Sequence, residues 1–385
     1  MTDIAEQLSW ISRLVSFDTT SSKSNLPLIE DVEAYLDHYG IESFRVPSDD
    51  GTKTNLYAVV GPKVEGGVVL SGHTDVVPVE GQDWASDPWT VVEKDGKLYG
   101  RGVADMKSFS AIGLSLVPEM RKAQLKRPII FALSYDEEIG LFGAPRMIAE
   151  IAEKAPRPSA VIVGEPTNMK VIDGHKGIAS FKVKVTGYTT HSSQTDRGVS
   201  AVEAAAKLIS KITDMCERNA AAADPDCPFH PPYSSMTVNV VRGGTQLNIM
   251  AGEAEFNWDM RVIPGDNREE IIGEFTDFAR GVEAEMRAKA PGCRIEITQI
   301  TNAPSLAPEA NNPAADLAKA ITGHNSTEVV SYAAEAGQFQ EGGFSVVICG
   351  PGSIDQAHQP NEYITLEQVR AGTVFMRRLI ERMSA

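Results

Sequence analysis

Cysteine is scarce in this chain: four residues in 385, Cys216, Cys227, Cys293 and Cys349, and no CxxC pair among them. A disulfide framework is therefore not expected, and Cys349, inside an apolar run, reads as a small buried hydrophobe. Positive charge is also short, with 36 Lys and Arg against 52 Asp and Glu and a net charge of -16. That balance argues against nucleic acid as a partner, because phosphate binding needs basic patches. No apolar run approaches the length of a membrane span. Residues 1–6 are acidic and lack a basic segment followed by an apolar core, so no signal peptide is read. A cytoplasmic protein with no membrane partner is expected. Sequence repeats and low-complexity tracts are absent as well, beyond a proline-containing loop from Asp224 to Pro232.

What is present is the composition of a globular protein, 42% hydrophobic and 23% charged. A chain of 385 residues is too long for one ordinary core, so two domains are expected. Up to about Gly177, short apolar strands alternate with amphipathic helices, as in an α/β sheet. Ile4, Leu8, Ile11, Leu14 and Val15 form the apolar stripe of an opening helix that Thr2 or Asp3 would cap. Another helix is predicted from Asp105 toward Met120. After Gly177, Phe181, Val183 and Val185 alternate with Lys182, Lys184 and Thr186, which predicts a strand with one exposed face. A helix over 200–216, strands over 235–241 and 253–261, a helix over 267–289 and a strand over 294–299 follow. The order β-α-β-β-α-β is that of a ferredoxin-like unit. Beyond Thr301 the α/β alternation returns, with a helix over 314–321, a strand over 345–349 and a terminal helix from Thr365. The reading is a discontinuous α/β domain, 1–178 and 301–385, interrupted by an inserted α+β domain, 179–300.

The strands of the first domain end in side chains that bind metals. Val68 to Gly72 leads to His73, with Asp75 two residues on; Ile129 to Leu133 leads to Asp136-Glu137-Glu138; Ala160 to Gly164 leads to Glu165. Asp105 follows Gly100-Arg101-Gly102, and His358 sits in a glycine- and proline-shaped loop after another apolar strand. Ligands collect beyond the carboxyl ends of strands in open α/β sheets. Taken singly, each position has a plain structural explanation. An aspartate where a loop becomes a helix is usually a cap, acidic loops are common, and loop histidines are usually exposed. Together, His73, Asp105, Glu138, Glu165 and His358 supply two imidazoles and three carboxylates, enough for two cations if Asp105 bridges them. Such a cluster is costly without compensating charge, which divalent metals provide. The mixed nitrogen and oxygen set suits zinc, with cobalt or manganese as substitutes. Glu137 and Glu138, adjacent on extended backbone, would point opposite ways, one to ligate and one to act as general base. The pattern points to metal-assisted hydrolysis.

These motifs, with Glu165-Pro166-Thr167 and Gln356-Ala357-His358, resemble the two-zinc exopeptidase and amidohydrolase family over nearly the whole chain. The resemblance implies a mixed-sheet, zinc exopeptidase-like α/β catalytic domain carrying a ferredoxin-like lid that also forms a homodimer. It implies two zinc ions per subunit, with cobalt as a substitute: one on His73, Asp105 and Glu165, the other on Asp105, Glu138 and His358. Glu137 would be the general base and Asp75 the partner of His73. His191 would reach the oxyanion from the inserted domain of the other subunit, and Asn248 and Arg261 would hold substrate across the dimer. Several segments, among them Gly174-His175-Lys176-Gly177 and Gly243-Gly244-Thr245-Gln246, are most similar to the branch that deacetylates N2-acetyl-L-ornithine in arginine biosynthesis. The resemblance therefore implies a small-molecule N-acyl amino acid as substrate, with a desuccinylase or a zinc exopeptidase as the alternative. The substrate's α-carboxylate needs a cation, for which Arg261 and Lys176 are candidates. The ammonium of an ornithine side chain calls for a carboxylate, and Glu335 is the candidate.

Overall fold

A computed structural model of the chain describes residues 3–385. Contacts divide it into two compact units, one of Met1–Gly174, Leu306–Val329 and Ala334–Ala385, the other of His175–Ser305 and Val330–Ala333. The divisions fall at 174/175 and 305/306, where the sequence pattern placed them at 178 and 301. Residues 330–333 also join the second unit.

The first unit is built on an eight-stranded mixed sheet. Its order is Ser43–Pro47, Thr54–Val60, Ile129–Ser134, Val68–His73, Ala160–Pro166, Val346–Gly350, Ile172–His175 and Glu328–Val330. The four strands from Ile129–Ser134 to Val346–Gly350 run parallel to one another. Every residue of these four is buried, as expected for parallel strands covered on both faces. One core cluster joins Leu70, Phe131 and Ile162 of the sheet to Phe109 and Ile112 of the Lys107–Ser115 helix and Phe375 and Leu379 of the terminal helix.

Local chemistry accounts for the helix ends. The opening helix spans Ala5–Val15 and buries Trp10, Ile11, Leu14 and Val15. Asp3 accepts from the Ala5 N–H at 3.1 Å, while Thr2 lies outside the described residues. Thr365 caps the terminal helix Leu366–Ser384, accepting from the Gln368 N–H. The helix expected from Asp105 to Met120 is two helices, Lys107–Ser115 and Val117–Lys122. Pro118 interrupts the backbone ladder there, and the Leu114 carbonyl is satisfied instead by the Tyr35 hydroxyl at 2.9 Å.

The second unit is a four-stranded antiparallel sheet, in the order Ser235–Gly243, Glu253–Val262, Gly177–Thr186 and Arg294–Ala303. With helices Ala201–Ala221 and Arg268–Lys289 it follows the chain order β-α-β-β-α-β. Period-two burial puts Ala179, Phe181, Val183 and Val185 against Leu208 and Ile212 of one helix and Phe275 of the other. Phe181 stacks on Trp258 with ring centroids 4.6 Å apart. Among the described residues, no helix is long and apolar enough to cross a membrane.

Candidate metal centre

Parallel pairing brings the carboxyl ends of four strands to one edge of the first unit's sheet. His73 is the last residue of its strand and Glu165 the penultimate residue of the neighbouring one. Glu137 and Glu138 lie in the turn after Ile129–Ser134, and His358 lies in the loop after Val346–Gly350. Asp105 enters from the turn that precedes Lys107–Ser115. That turn and the four strand ends converge. His73 Nε2 is 3.0 Å from Asp105 Oδ1 and 3.7 Å from Glu165 Oε1. His358 Nε2 is 3.3 Å from Asp105 Oδ2 and 2.9 Å from Glu138 Oε2. The residues form two donor groups, His73–Asp105–Glu165 and Asp105–Glu138–His358, each with ligand atoms within 4.8 Å of one another. Asp105 belongs to both, turning one oxygen to each imidazole.

The electrostatics show a cluster short of positive charge. Burial and then repulsion from Glu165 push the Glu137 carboxyl well above its ordinary range. Burial and then Asp105 do the same to Glu165, and they lift Glu138 to about 7. Burial also opposes ionisation of Asp105, yet His358 and His73 hold its carboxyl below the ordinary value. Hydrogen bonds to Asp105 and Glu138 raise the His358 imidazole to about 10. In addition, Glu165 Oε1 is buried with no hydrogen-bond partner, an expensive state for a carboxylate oxygen. Divalent cations would relieve all of this. The donor set of imidazole nitrogens and carboxylate oxygens fits zinc.

Surrounding groups hold these side chains in place. His73 Nδ1 is 2.9 Å from the Asp75 carbonyl and 3.7 Å from its carboxylate, which fixes the imidazole chiefly through the backbone. The Asp75 carboxylate accepts from Ser21 Oγ at 2.6 Å and from the N–H groups of Glu137 and Glu138 at 3.2 and 3.3 Å. Glu137 and Glu138 therefore lie on a turn, not on the extended backbone expected. The chain reverses at Asp136, whose φ is 57° and whose carboxylate is paired with Lys53. Gly164 leaves room for the Phe109 ring, which a Cβ there would strike at 2.0 Å, so Phe109 packs directly against the backbone before Glu165.

Two supports were not foreseen. Glu362, fully buried, accepts from Arg101 Nη1 and from the N–H groups of Gly102, Ala104 and Asp105 at 2.7–3.1 Å. Gln82 donates to the His358 carbonyl at 3.0 Å and accepts from Arg101. The only sequence signal was the glycine-flanked Arg101, a cation whose buried partner spacing does not reveal.

The remaining candidates belong to the second unit or to a different environment. His191 is exposed, with Nδ1 2.8 Å from Ser193 Oγ, and Asn248 is exposed beside it in sequence pairing, its carbonyl accepting from the Ser192 N–H. Arg261 is half-buried and bonded to Asp259 at 3.1 Å. Two further candidates, Lys176 and Glu335, have their polar atoms engaged within the protein. Lys176 is fully buried and its ammonium donates to the carbonyls of Pro231 and Tyr233 at 2.6 and 3.0 Å, so it braces a loop of its own unit. Glu335 is buried, and both its oxygens accept from serines, Ser71 and Ser134.

Residues 69–382 match the family described as peptidase family M20/M25/M40. The chain belongs to that family, whose members are metal-dependent hydrolases of amide bonds. Among its relatives is the acetylornithine deacetylase of Proteus mirabilis, 32% identical over 382 residues, covering 98% of this chain and 95% of the relative. The acetylornithine deacetylase of Myxococcus xanthus is also 32% identical, with 95% of each chain covered. Among solved structures, an M20 family metallo-carboxypeptidase of Sulfolobus solfataricus superposes with a TM-score of 0.77 at 17% identity, covering 100% of both chains. A dinuclear metal-binding M20 peptidase of Bacillus subtilis gives 0.65 at 16% identity, with 99% of each chain covered. These two likenesses establish the fold.

Proposed function

We propose that the chain hydrolyses N-acylated amino acids, with N2-acetyl-L-ornithine as the preferred substrate and L-ornithine and acetate as products. The single observation behind this reading is the Asp105 carboxylate set between two imidazoles, with a further acid, Glu137, next to Glu138 in the turn after Ile129–Ser134. The choice of acetylornithine follows the relatives that share about a third of its residues along nearly the whole chain. His73, Asp105 and Glu165 would hold one zinc ion, and Asp105, Glu138 and His358 the other. When bound, the ions supply Lewis acidity that activates a water and polarises the acyl carbonyl.

The chain's own groups then carry the protons. Glu137, kept near the centre by the Asp75 hydrogen bond to its N–H, accepts a proton from the attacking water. It passes that proton to the departing amine, so a base of high pKa becomes an effective acid in the second step. In this reading His191 of the partner subunit donates to the oxyanion. Asn248 and Arg261 hold substrate across a homodimer, Arg261 through a bidentate contact to the α-carboxylate.

The test is a panel of acetylated, formylated and succinylated amino acids and dipeptides, assayed with zinc and with cobalt. Highest kcat/KM on N2-acetyl-L-ornithine is expected. A preference for succinylated substrates or for dipeptides would replace this reading with the desuccinylase or exopeptidase alternative.

A further inference from the structure

Glu335 is a buried acid in a protein already crowded with buried acids. It stands at the start of the Ala336–Glu341 helix and is 1% exposed. Ser71 and His73 are two residues apart on one strand and so project from the same face of the sheet. Ser134 is the cross-strand partner of His73. The Ser71 hydroxyl donates to Glu335 Oε2 at 3.2 Å, and the Ser134 hydroxyl donates to Oε1. Glu335 is thus anchored to the His73 strand and to one of its two neighbours, at the end where His73 lies. Among the described residues, no lysine or arginine forms an ion pair with it. A buried carboxylate without a cation is costly, and burial raises its carboxyl above the ordinary value. Its two serine partners lie next to His73, one two residues before it and one paired across from it, so the acid sits on the His73 face of the sheet.

We propose that Glu335 is the fixed anion that sets metal affinity on the His73 side of the centre, acting through space and never as a ligand or a substrate contact. The proposal rests on the two-metal reading above. A divalent ion among His73, Asp105 and Glu165 turns the same proximity from repulsion into attraction. The serines keep the carboxylate from swinging forward to take a coordination position. An isosteric amide would keep the packing and lose the charge.

The experiment titrates the metal-free full chain with zinc in competition with a chromophoric chelator, for the wild type, Glu335→Gln and Glu335→Asp. Two bound ions are expected in all three. In Glu335→Gln one dissociation constant should rise about tenfold or more, about 1.4 kcal/mol, while the other changes little. Glu335→Asp should recover part of the loss. At saturating zinc, KM for the acylated substrate should stay within about twofold of wild type, which a substrate contact would not allow. Unchanged dissociation constants in a folded Glu335→Gln overturn the proposal, and so does a raised KM with intact zinc affinity. If that variant does not fold, Ser134→Ala keeps the acid and removes one of its two holders. Weaker zinc binding is then expected at one site, and unaltered binding refutes the idea. A wild-type chain that takes up no zinc overturns the two-metal reading itself, an outcome distinct from any difference between variants.

Discussion

Replacing Glu362 by glutamine keeps the shape of the side chain and removes only its charge and one acceptor. In the native chain Oε2 accepts from Arg101 Nη1 at 2.8 Å and from the Gly102 N–H at 3.0 Å. Oε1 accepts from the N–H groups of Ala104 and Asp105 at 2.7 and 3.1 Å. Whichever oxygen becomes an NH2, two donors then face a donor. Each buried group left unsatisfied costs about 1–3 kcal/mol. Arg101, 1% exposed, also loses its carboxylate, and breaking a buried ion pair from one side costs about 3–5 kcal/mol. These overlapping costs give a total near 3–5 kcal/mol, a large part of the roughly 5–15 kcal/mol that holds a domain folded. Urea unfolding of the full chain reads it through tryptophan fluorescence, because the Arg101 guanidinium lies 5.0 Å from the Trp84 ring. With a slope of about 3 kcal/mol per molar urea, the first unit's midpoint should fall by about 1–2 M. Trp258 belongs to the other unit's core and should report little change. Asp105 takes its backbone position from the same carboxylate, so zinc affinity should fall with stability. A Glu362→Gln variant with the wild-type midpoint and full zinc retention would refute the view that this acid holds the Asp105 turn.

Other outcomes follow from the same geometry. Asp105→Asn should lose both metal ions and His358→Ala only one, as counted by elemental analysis of the purified variants; equal losses would deny that Asp105 is shared. Glu137→Gln should lower kcat by about 10²–10⁴-fold while retaining its metal, and steady-state turnover within tenfold of wild type would remove Glu137 as the base. In the metal-free chain burial and neighbouring acids lift Glu138 to about 7 and also raise Glu137 and Glu165, so Glu138 holds a proton near neutrality that a cation must displace. Zinc affinity should therefore strengthen as pH rises through about 7, with protons released on binding, and calorimetry in buffers of different ionisation enthalpy measures the release. In the second unit, hydrogen bonds from Arg218 and then Lys211 hold the Glu274 carboxyl down at about 2. A depressed carboxyl contributes stability that is present above its unfolded value and is lost as pH falls toward 2. Because the cluster is part-exposed, that loss is held to about 1 kcal/mol, and near-UV circular dichroism of Trp258 should show it shrinking in Glu274→Gln.

The parts legible in the sequence are those that strand geometry dictates. An apolar run that ends in His73 or runs into Glu165 declares both its burial and its end, and parallel pairing then carries those ends to one edge. The β-α-β-β-α-β order was readable for the same reason, since period-two and period-3.6 patterns alternate cleanly between Gly177 and Ala303. What the pattern did not show was what each acid does. Glu335 and Glu362 both look like loop acids, and each is buried by contacts with residues some two hundred or more positions away, 201 to Ser134 for one and 260 to Gly102 for the other. No local period encodes such a contact. The Glu137–Glu138 pair was placed on extended backbone because nothing in the composition announced that Asp136 takes a positive φ, held there by Lys53 from a distant strand end. The distinction has a physical basis. Acids that bind metal point outward from strand ends, so their backbone advertises them. Acids that support the centre point inward at N–H groups and hydroxyls, and only the folded chain supplies those donors. Substituting an acid of the first kind should therefore cost metal and turnover before stability, and substituting Glu362 should cost stability first.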